Sequence, residues 1–200
     1  MKTFFFFGDS ITMGVNVPPE QSWTGRFAAA AVRQGLPVPP TTFYNLGVRR
    51  QPSVKIAQRW EAEYRCRLVA ETEPYQIFCF GTVDMAAPQG TPVLALEDSV
   101  ACARTLLTKA AKASPVLFMT APPVANTAHT ARIGTLMQAY RDMCRDIKVP
   151  FLDIFTALQQ STPYLQDLHD GIHPSELGNG LIADMLLKHP VIRGWLTPAA

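Results

Sequence analysis

A chain of 200 residues that is 48% apolar and only 17% charged is a folded globular protein, and this excludes the disordered classes. The formal charge of +2 comes from scattered Lys and Arg, which excludes a nucleic-acid footprint. No stretch approaches the ~18 apolar residues of a membrane span, so the expectation is one domain over residues 1–200 without a membrane crossing.

Met1-Lys2-Thr3 and four phenylalanines resemble the start of a secretory leader, but the apolar run is far short of the ~7–15 residues a leader core needs. Cys66, Cys79, Cys102 and Cys144 lack paired metal-ligand spacing and each sits in an apolar pattern. Buried free thiols in a reducing cytoplasm are the expectation.

In chain order, strands are predicted at Thr3–Phe7, Thr42–Leu46, Gln76–Phe80, Val116–Thr120 and Pro150–Ile154. Phe4–Phe7 is too apolar to have a wet face and reads as a strand buried on both sides. Helical stripes lie between the strands: Ile56, Trp60 and Tyr64; Leu96, Val100, Ala103 and Leu107; and the long series from Ile133 to Ile147. Their Met and aromatic members read as core packing. Pro37–Pro40 and Pro122-Pro123 read as loops, the second bordering the crevice beyond the fourth strand. Pro174, Ser175 and Glu176 open a last helix. Strand and helix alternating about five times predict an α/β protein: a three-layer α/β/α sandwich on a parallel five-stranded sheet, flavodoxin-like.

Two junctions carry chemistry. Gly8-Asp9-Ser10 breaks the first strand and places a hydroxyl at its carboxyl end, where open α/β sheets bind ligands. Asp170-Gly171-Ile172-His173-Pro174 supplies a carboxylate and an imidazole from one tight loop. Serine needs a base to take its proton and a third group to orient that base. Taken singly, Ser10 reads equally well as a helix cap and His173 as a loop histidine. Together they predict a Ser10, His173, Asp170 triad.

These strings resemble the blocks of the GDSL/SGNH hydrolases. Gly8-Asp9-Ser10-Ile11-Thr12-Met13-Gly14 looks like the nucleophile block, Asn45-Leu46-Gly47 the second block, and Asp170 to Pro174 the last. Trp23-Thr24-Gly25-Arg26-Phe27 and Ser175-Glu176-Leu177-Gly178 are also similar to the family. The resemblance implies a serine esterase acting on small acyl esters or thioesters through an acyl-enzyme, without metal or cofactor. It implies that the N–H groups of Ser10 and Gly47 bind the oxyanion.

The third block departs from the family. Where the pattern reads Gly-x-Asn-Asp, this chain has Gly81-Thr82-Val83-Asp84, and Val83 has no donor to offer the oxyanion. Losing one such donor in an unrelated protease costs about 2.7–4 kcal/mol. Three explanations stand: another group replaces it, with Arg49, Arg50 and Thr82 nearest in sequence; the enzyme is weak and acts on activated substrates; or the site is vestigial or altered. Asp84 is expected to hold the loop and to take no part in catalysis.

Arg49-Arg50 reads either as a solvated pair or as an oxyanion or acidic-substrate contact. His169 is a poorer fit to the base than His173, and His129, after the Pro122-Pro123 loop, reads as loop surface in preference to a border of the pocket. The apolar loop Met85-Ala86-Ala87-Pro88 suggests a short acyl pocket. The alternatives are a carbohydrate O-deacetylase, a binding protein with an impaired site, and a flavodoxin-like nucleotide binder. The last is disfavoured because no Gly-rich loop follows the first strand and Asp9 there would repel phosphate.

Overall fold

Five strands form one parallel sheet in a computed structural model that describes residues 1–38 and 40–197. They are β1 (Lys2–Gly8), β2 (Thr42–Gly47), β3 (Glu73–Phe80), β4 (Val116–Thr120) and β5 (Phe151–Leu152), in the order β2-β1-β3-β4-β5. That is the flavodoxin-like order, and its switch point lies between β1 and β3. Of the Pro-rich loop Pro37–Pro40, Pro39 lies outside the described residues.

The phenylalanines of β1 alternate between two cores, as the two-residue period of a strand requires. Phe5 and Phe7 face one cluster with Ile56, Trp60, Leu107 and Ile133. Phe4 and Phe6 face the other with Trp23, Phe27, Ile182 and Ile192. All four are essentially inaccessible, each burial worth roughly 2–3 kcal/mol. The first core is covered by α3 (Ser53–Arg65), α4 (Leu96–Ala113) and α5 (Thr127–Asp146). The second is covered by α2 (Trp23–Arg33), α8 (Glu176–Lys188) and α9 (Pro190–Leu196). Among the described residues, three short α-helices, α1 (Ser10–Met13), α6 (Phe155–Gln159) and α7 (Thr162–Gln166), and a 3-10 turn at Pro19–Gln21 complete the helical structure.

The predicted stripes of α3, α4 and α5 all face the first core, with Leu96, Val100 and Ile147 at its margin. Four details differ from expectation. β5 is trimmed to two residues, because this edge strand pairs only through Phe118 and Met119 of β4. The last long helix starts at Glu176, two residues beyond Pro174, and Asp167 satisfies its first turn: Oδ2 accepts from the N–H groups of Ser175 (2.9 Å) and Gly178 (2.7 Å). Helix α2 is an element beyond those expected, its buried stripe of Trp23, Phe27, Ala30 and Ala31 recurring at helical period. Of the cysteines expected to be buried, Cys79 and Cys144 are, whereas Cys102 is half-buried and Cys66 is exposed at the carboxyl end of α3; all four are free thiols. Among the described residues no helix is long and apolar enough to cross a membrane.

Candidate active site

The carboxyl ends of β1, β2 and β3 lie side by side, with Gly8 in register with both Gly47 and Cys79. Close approach explains the glycines here. A Cβ on Gly8 would meet the Cys79 carbonyl at 2.2 Å, and one on Gly47 would meet the Met13 nitrogen at 2.2 Å. Helix α1 therefore folds directly onto the strand ends, and Ser10 is its first residue. Asp9 caps it, Oδ1 accepting from the Ile11 N–H at 2.9 Å. As the first helical residue, Ser10 has no intrahelical partner for its own N–H.

Asp170 and His173 arrive on the loop before α8. Asp170 Oδ1 accepts from the N–H groups of Ile172 (2.9 Å) and His173 (2.8 Å), an Asx-type turn that places the ring. His173 Nδ1 donates to Asp170 Oδ2 at 2.7 Å, and Ser10 Oγ donates to His173 Nε2 at 2.8 Å. A carboxylate can only accept, so Nδ1 carries the ring proton and Nε2 presents its lone pair to the serine. Burial pushes the Asp170 carboxyl up, but bonds from the His173 N–H, the His173 ring, the Ile172 N–H and Asn16 outweigh it. They hold it well below the usual carboxylate range. The Asn16 bond spans 2.8 Å, from a residue in the left-handed region at φ +75°. Sequence reasoning missed Asn16, which lies 154 positions from its partner.

The two junctions share a fastening. The Trp23 indole donates to the Ile11 carbonyl at 3.0 Å, and the Trp23 N–H donates to Asn179 Oδ1 at 2.9 Å. The Asn179 amide in turn donates to the carbonyls of Pro174 (2.9 Å) and Ser175 (3.0 Å), directly after His173.

The site opens into a pocket of about 640 Å³. Ser10, His173, Arg49, Arg50, Thr82, Val83, His129 and Arg132 all line it, with Ala86, Ala87, Pro88, Val93 and Val124 as apolar wall. Met85 does not line it: it is buried in the first core, so the apolar acyl wall begins one residue later than expected. Arg49 and Arg50 are exposed at the rim, Arg50 at φ +59°. Thr82 is buried and its hydroxyl has no hydrogen-bond partner among the described residues. Val83 turns an apolar side chain to the pocket. The Gly47 N–H already donates to Asn45 Oδ1 at 3.0 Å.

His129 is not on loop surface. It lies in the first turn of α5, buried, with its ring nitrogen Nε2 2.8 Å from the Thr82 carbonyl. A carbonyl only accepts, so Nε2 donates; burial holds the imidazole pKa down, against the pull of that carbonyl. The N–H of His129 is itself capped by Asn126 at 2.8 Å.

Two buried carboxyls lie behind the serine. Asp84 Oδ1 accepts from the Ser53 N–H at 2.7 Å, and Oδ2 accepts from the hydroxyls of Ser99 and Tyr140. It thereby caps α3 and ties it to α4 and α5, the structural task expected of it. Burial pushes Asp9 up to about 7, with nearby Asp84 adding to the rise and the N–H groups of Ile11, Asp9 and Val83 opposing it. His169 is exposed and makes no side-chain bond to the site among the described residues.

Solved structures share this arrangement of strands and helices. A lipase/acylhydrolase from Enterococcus faecalis is 19% identical, with all of both chains covered and a TM-score of 0.81. A member of the lipolytic protein G-D-S-L family from Veillonella parvula is 17% identical, covering 96% of this chain and 99% of that one, with a TM-score of 0.77. An acetylxylan esterase from Geobacillus stearothermophilus is 16% identical over 94% and 93% of the two chains, with a TM-score of 0.73. No curated protein matches the chain. The model of the GDSL-like lipase/acylhydrolase family matches residues 6–181, a span that takes in both Ser10 and His173, and the chain belongs to that family of ester hydrolases.

Proposed function

We propose that the protein is a serine hydrolase that cleaves carboxylic esters or thioesters of small acyl groups through an acyl-enzyme. The observation that carries this reading is the relay of two short contacts, Ser10 Oγ to His173 Nε2 (2.8 Å) and His173 Nδ1 to Asp170 Oδ2 (2.7 Å), at the floor of an open pocket. Ser10 Oγ attacks the acyl carbonyl carbon as its proton passes to Nε2. Asp170 stabilises the imidazolium, which then protonates the departing alkoxide or thiolate as its bond to carbon breaks. Water attacks the acyl-serine with His173 again taking the proton, the acid leaves, and Ser10 recovers its hydrogen. Side chains supply every proton transfer.

The oxyanion is bound by the Ser10 N–H, by Gly47 sharing the N–H it now gives Asn45, and by the Thr82 hydroxyl. Thr82 takes the place of the missing asparagine because a buried, unpartnered donor in the pocket is an unusual thing for a fold to keep. Thr82→Val should lower kcat roughly 10- to 100-fold with little change in KM. A kcat within twofold of wild type would remove Thr82 from the oxyanion hole. The carbohydrate alternative draws no support from the pocket, since no Phe, Tyr or Trp among the described residues lines it for a sugar ring.

The deciding experiment is hydrolysis of p-nitrophenyl esters from acetate to long acyl chains, wild type beside Ser10→Ala. We expect activity on the short esters that disappears in the variant. Equal release by both proteins would overturn the reading and leave a binding protein.

A further inference from the structure

Three arginines share the pocket with Ser10 and His173: Arg49 and Arg50 from the turn after β2, and Arg132 from the second turn of α5. Elsewhere in the chain six arginines pair with carboxylates. Among the described residues none of these three does, and no Asp or Glu lines their pocket. Cationic charge has been gathered at the pocket without an internal counter-charge.

Arg132 is the best placed of the three. Its Nε donates to the Met85 carbonyl at 2.9 Å, which orients the guanidinium and leaves both terminal nitrogens for a ligand. Arg50 holds φ +59°, a conformation that costs an L-residue of order 1 kcal/mol and that Gly or Asn would adopt more cheaply. His129 beside them donates its Nε2–H to the Thr82 carbonyl, and burial disfavours its charged form, so the three guanidiniums dominate the charge of the pocket. The remaining wall of Val83, Ala86, Ala87, Pro88, Val93 and Val124 is apolar, and a charge pair beside such a wall is less screened than one in open water.

We propose that the ester cleaved here also carries an oxyanion, a carboxylate or a phosphate, seated on Arg132 with Arg49 and Arg50 at the rim. The guanidinium fork matches both groups through paired N–H···O bonds. The inference rests on the ester-hydrolase reading and names its substrate class.

Two matched pairs of esters test it. In the carboxylate arm, the p-nitrophenyl monoester of glutaric acid is set against p-nitrophenyl butyrate. In the phosphate arm, butyryl glycerol phosphate is set against monobutyrin. The expected result is a kcat/KM preference of about tenfold or more for the anionic member of one arm, the size of one or two charge-assisted bonds. The favoured arm identifies the oxyanion. Arg132→Gln should collapse that ratio toward one, added salt should shrink it, and Arg193→Gln on the distant α9 should leave it alone. Should Arg132→Gln fail to fold, the Arg49→Gln/Arg50→Gln double variant is read in its place. Ser10-dependent hydrolysis with ratios near one in both arms would overturn the oxyanion seat while leaving the hydrolase intact. If no ester is cleaved in a Ser10-dependent way, the hydrolase reading falls. Calorimetric titration of Ser10→Ala with glutarate and with glycerol phosphate then judges the seat alone: binding weakened by Arg132→Gln supports it, and no binding overturns it.

Discussion

Ser10 and His173, the proposed nucleophile and base, are held by different means. Gly8 to Met13 is fixed by the main chain and the core: β1 lies between two partner strands, glycines let α1 press onto them, and the Trp23 indole props the Ile11 carbonyl. The loop carrying Asp170 and His173 stands outside the sheet, with 40% of the Asp170 side chain exposed. Individual polar side chains hold it, chiefly Asp170, Asp167 and Asn179. The first half should tolerate loss of any one hydrogen bond, and the second should not.

The largest break in that comparison comes from Asp170→Asn. Asparagine keeps an acceptor for the two backbone N–H groups but offers His173 Nδ1 an amide in place of a carboxylate oxygen, favouring the wrong tautomer. The corresponding change in a protease costs about 10⁴ in kcat; with Asp170 partly in water, a loss of roughly 10²–10³ is expected by single-turnover kinetics. Folding should survive, and a kcat near wild type would dissolve Asp170's role.

A second prediction sets the two aspartates against each other in pH. Asp9 titrates at about 7 in the folded chain against an ordinary 3.8, so between those values the folded state keeps a proton that the unfolded state has lost. Its contribution to stability is complete below about pH 4 and is lost as pH rises through 7. Asp170, held low, contributes above the ordinary carboxylate pKa and loses that contribution as pH falls below it. Urea midpoints from pH 5 to 8 should fall in wild type and flatten in Asp9→Asn, a difference of a few kcal/mol at most. Parallel curves would show that Asp9 stays ionised.

The smallest effect sharpens the loop half. Asn16→Gly keeps the left-handed backbone and deletes one donor to Asp170, so the carboxyl pKa rises and kcat/KM should fall about three- to tenfold. No change would make the Asn16 bond incidental.

Much of this was legible in one dimension. Apolar runs announce buried parallel strands, and the stripes of α3 to α5 carry their core-facing side in plain order. Ser10, Asp170 and His173 were legible because each stands at a break between elements, where short motifs keep their meaning. What was lost is what topology alone brings together. His129 and Arg132 sit at the start of α5 beside a core stripe; the loop after β4 reads as a border of the crevice, but nothing local says that the first turns of the next helix face the pocket with these two side chains. Asn16 looks like any turn asparagine until a loop from the far end of the chain settles against it. Thr82 was noted for its neighbourhood, but its unpartnered hydroxyl could be seen only in three dimensions. Helix α2 is a different case: its stripe was there to be read, overshadowed by the motif in its first turn.

Trp23 makes the site observable by light. It contacts the carbonyl one residue after Ser10 and, through Asn179, the segment just after His173, while sealed from solvent. Trp60 sits on the far side of the sheet bonded to Gln76, and Trp195 packs at a tilt against Tyr75 near the surface, so their emission follows other events. The chain thus carries a native fluorophore whose colour reports the dryness of the seam between the segments that carry Ser10 and His173.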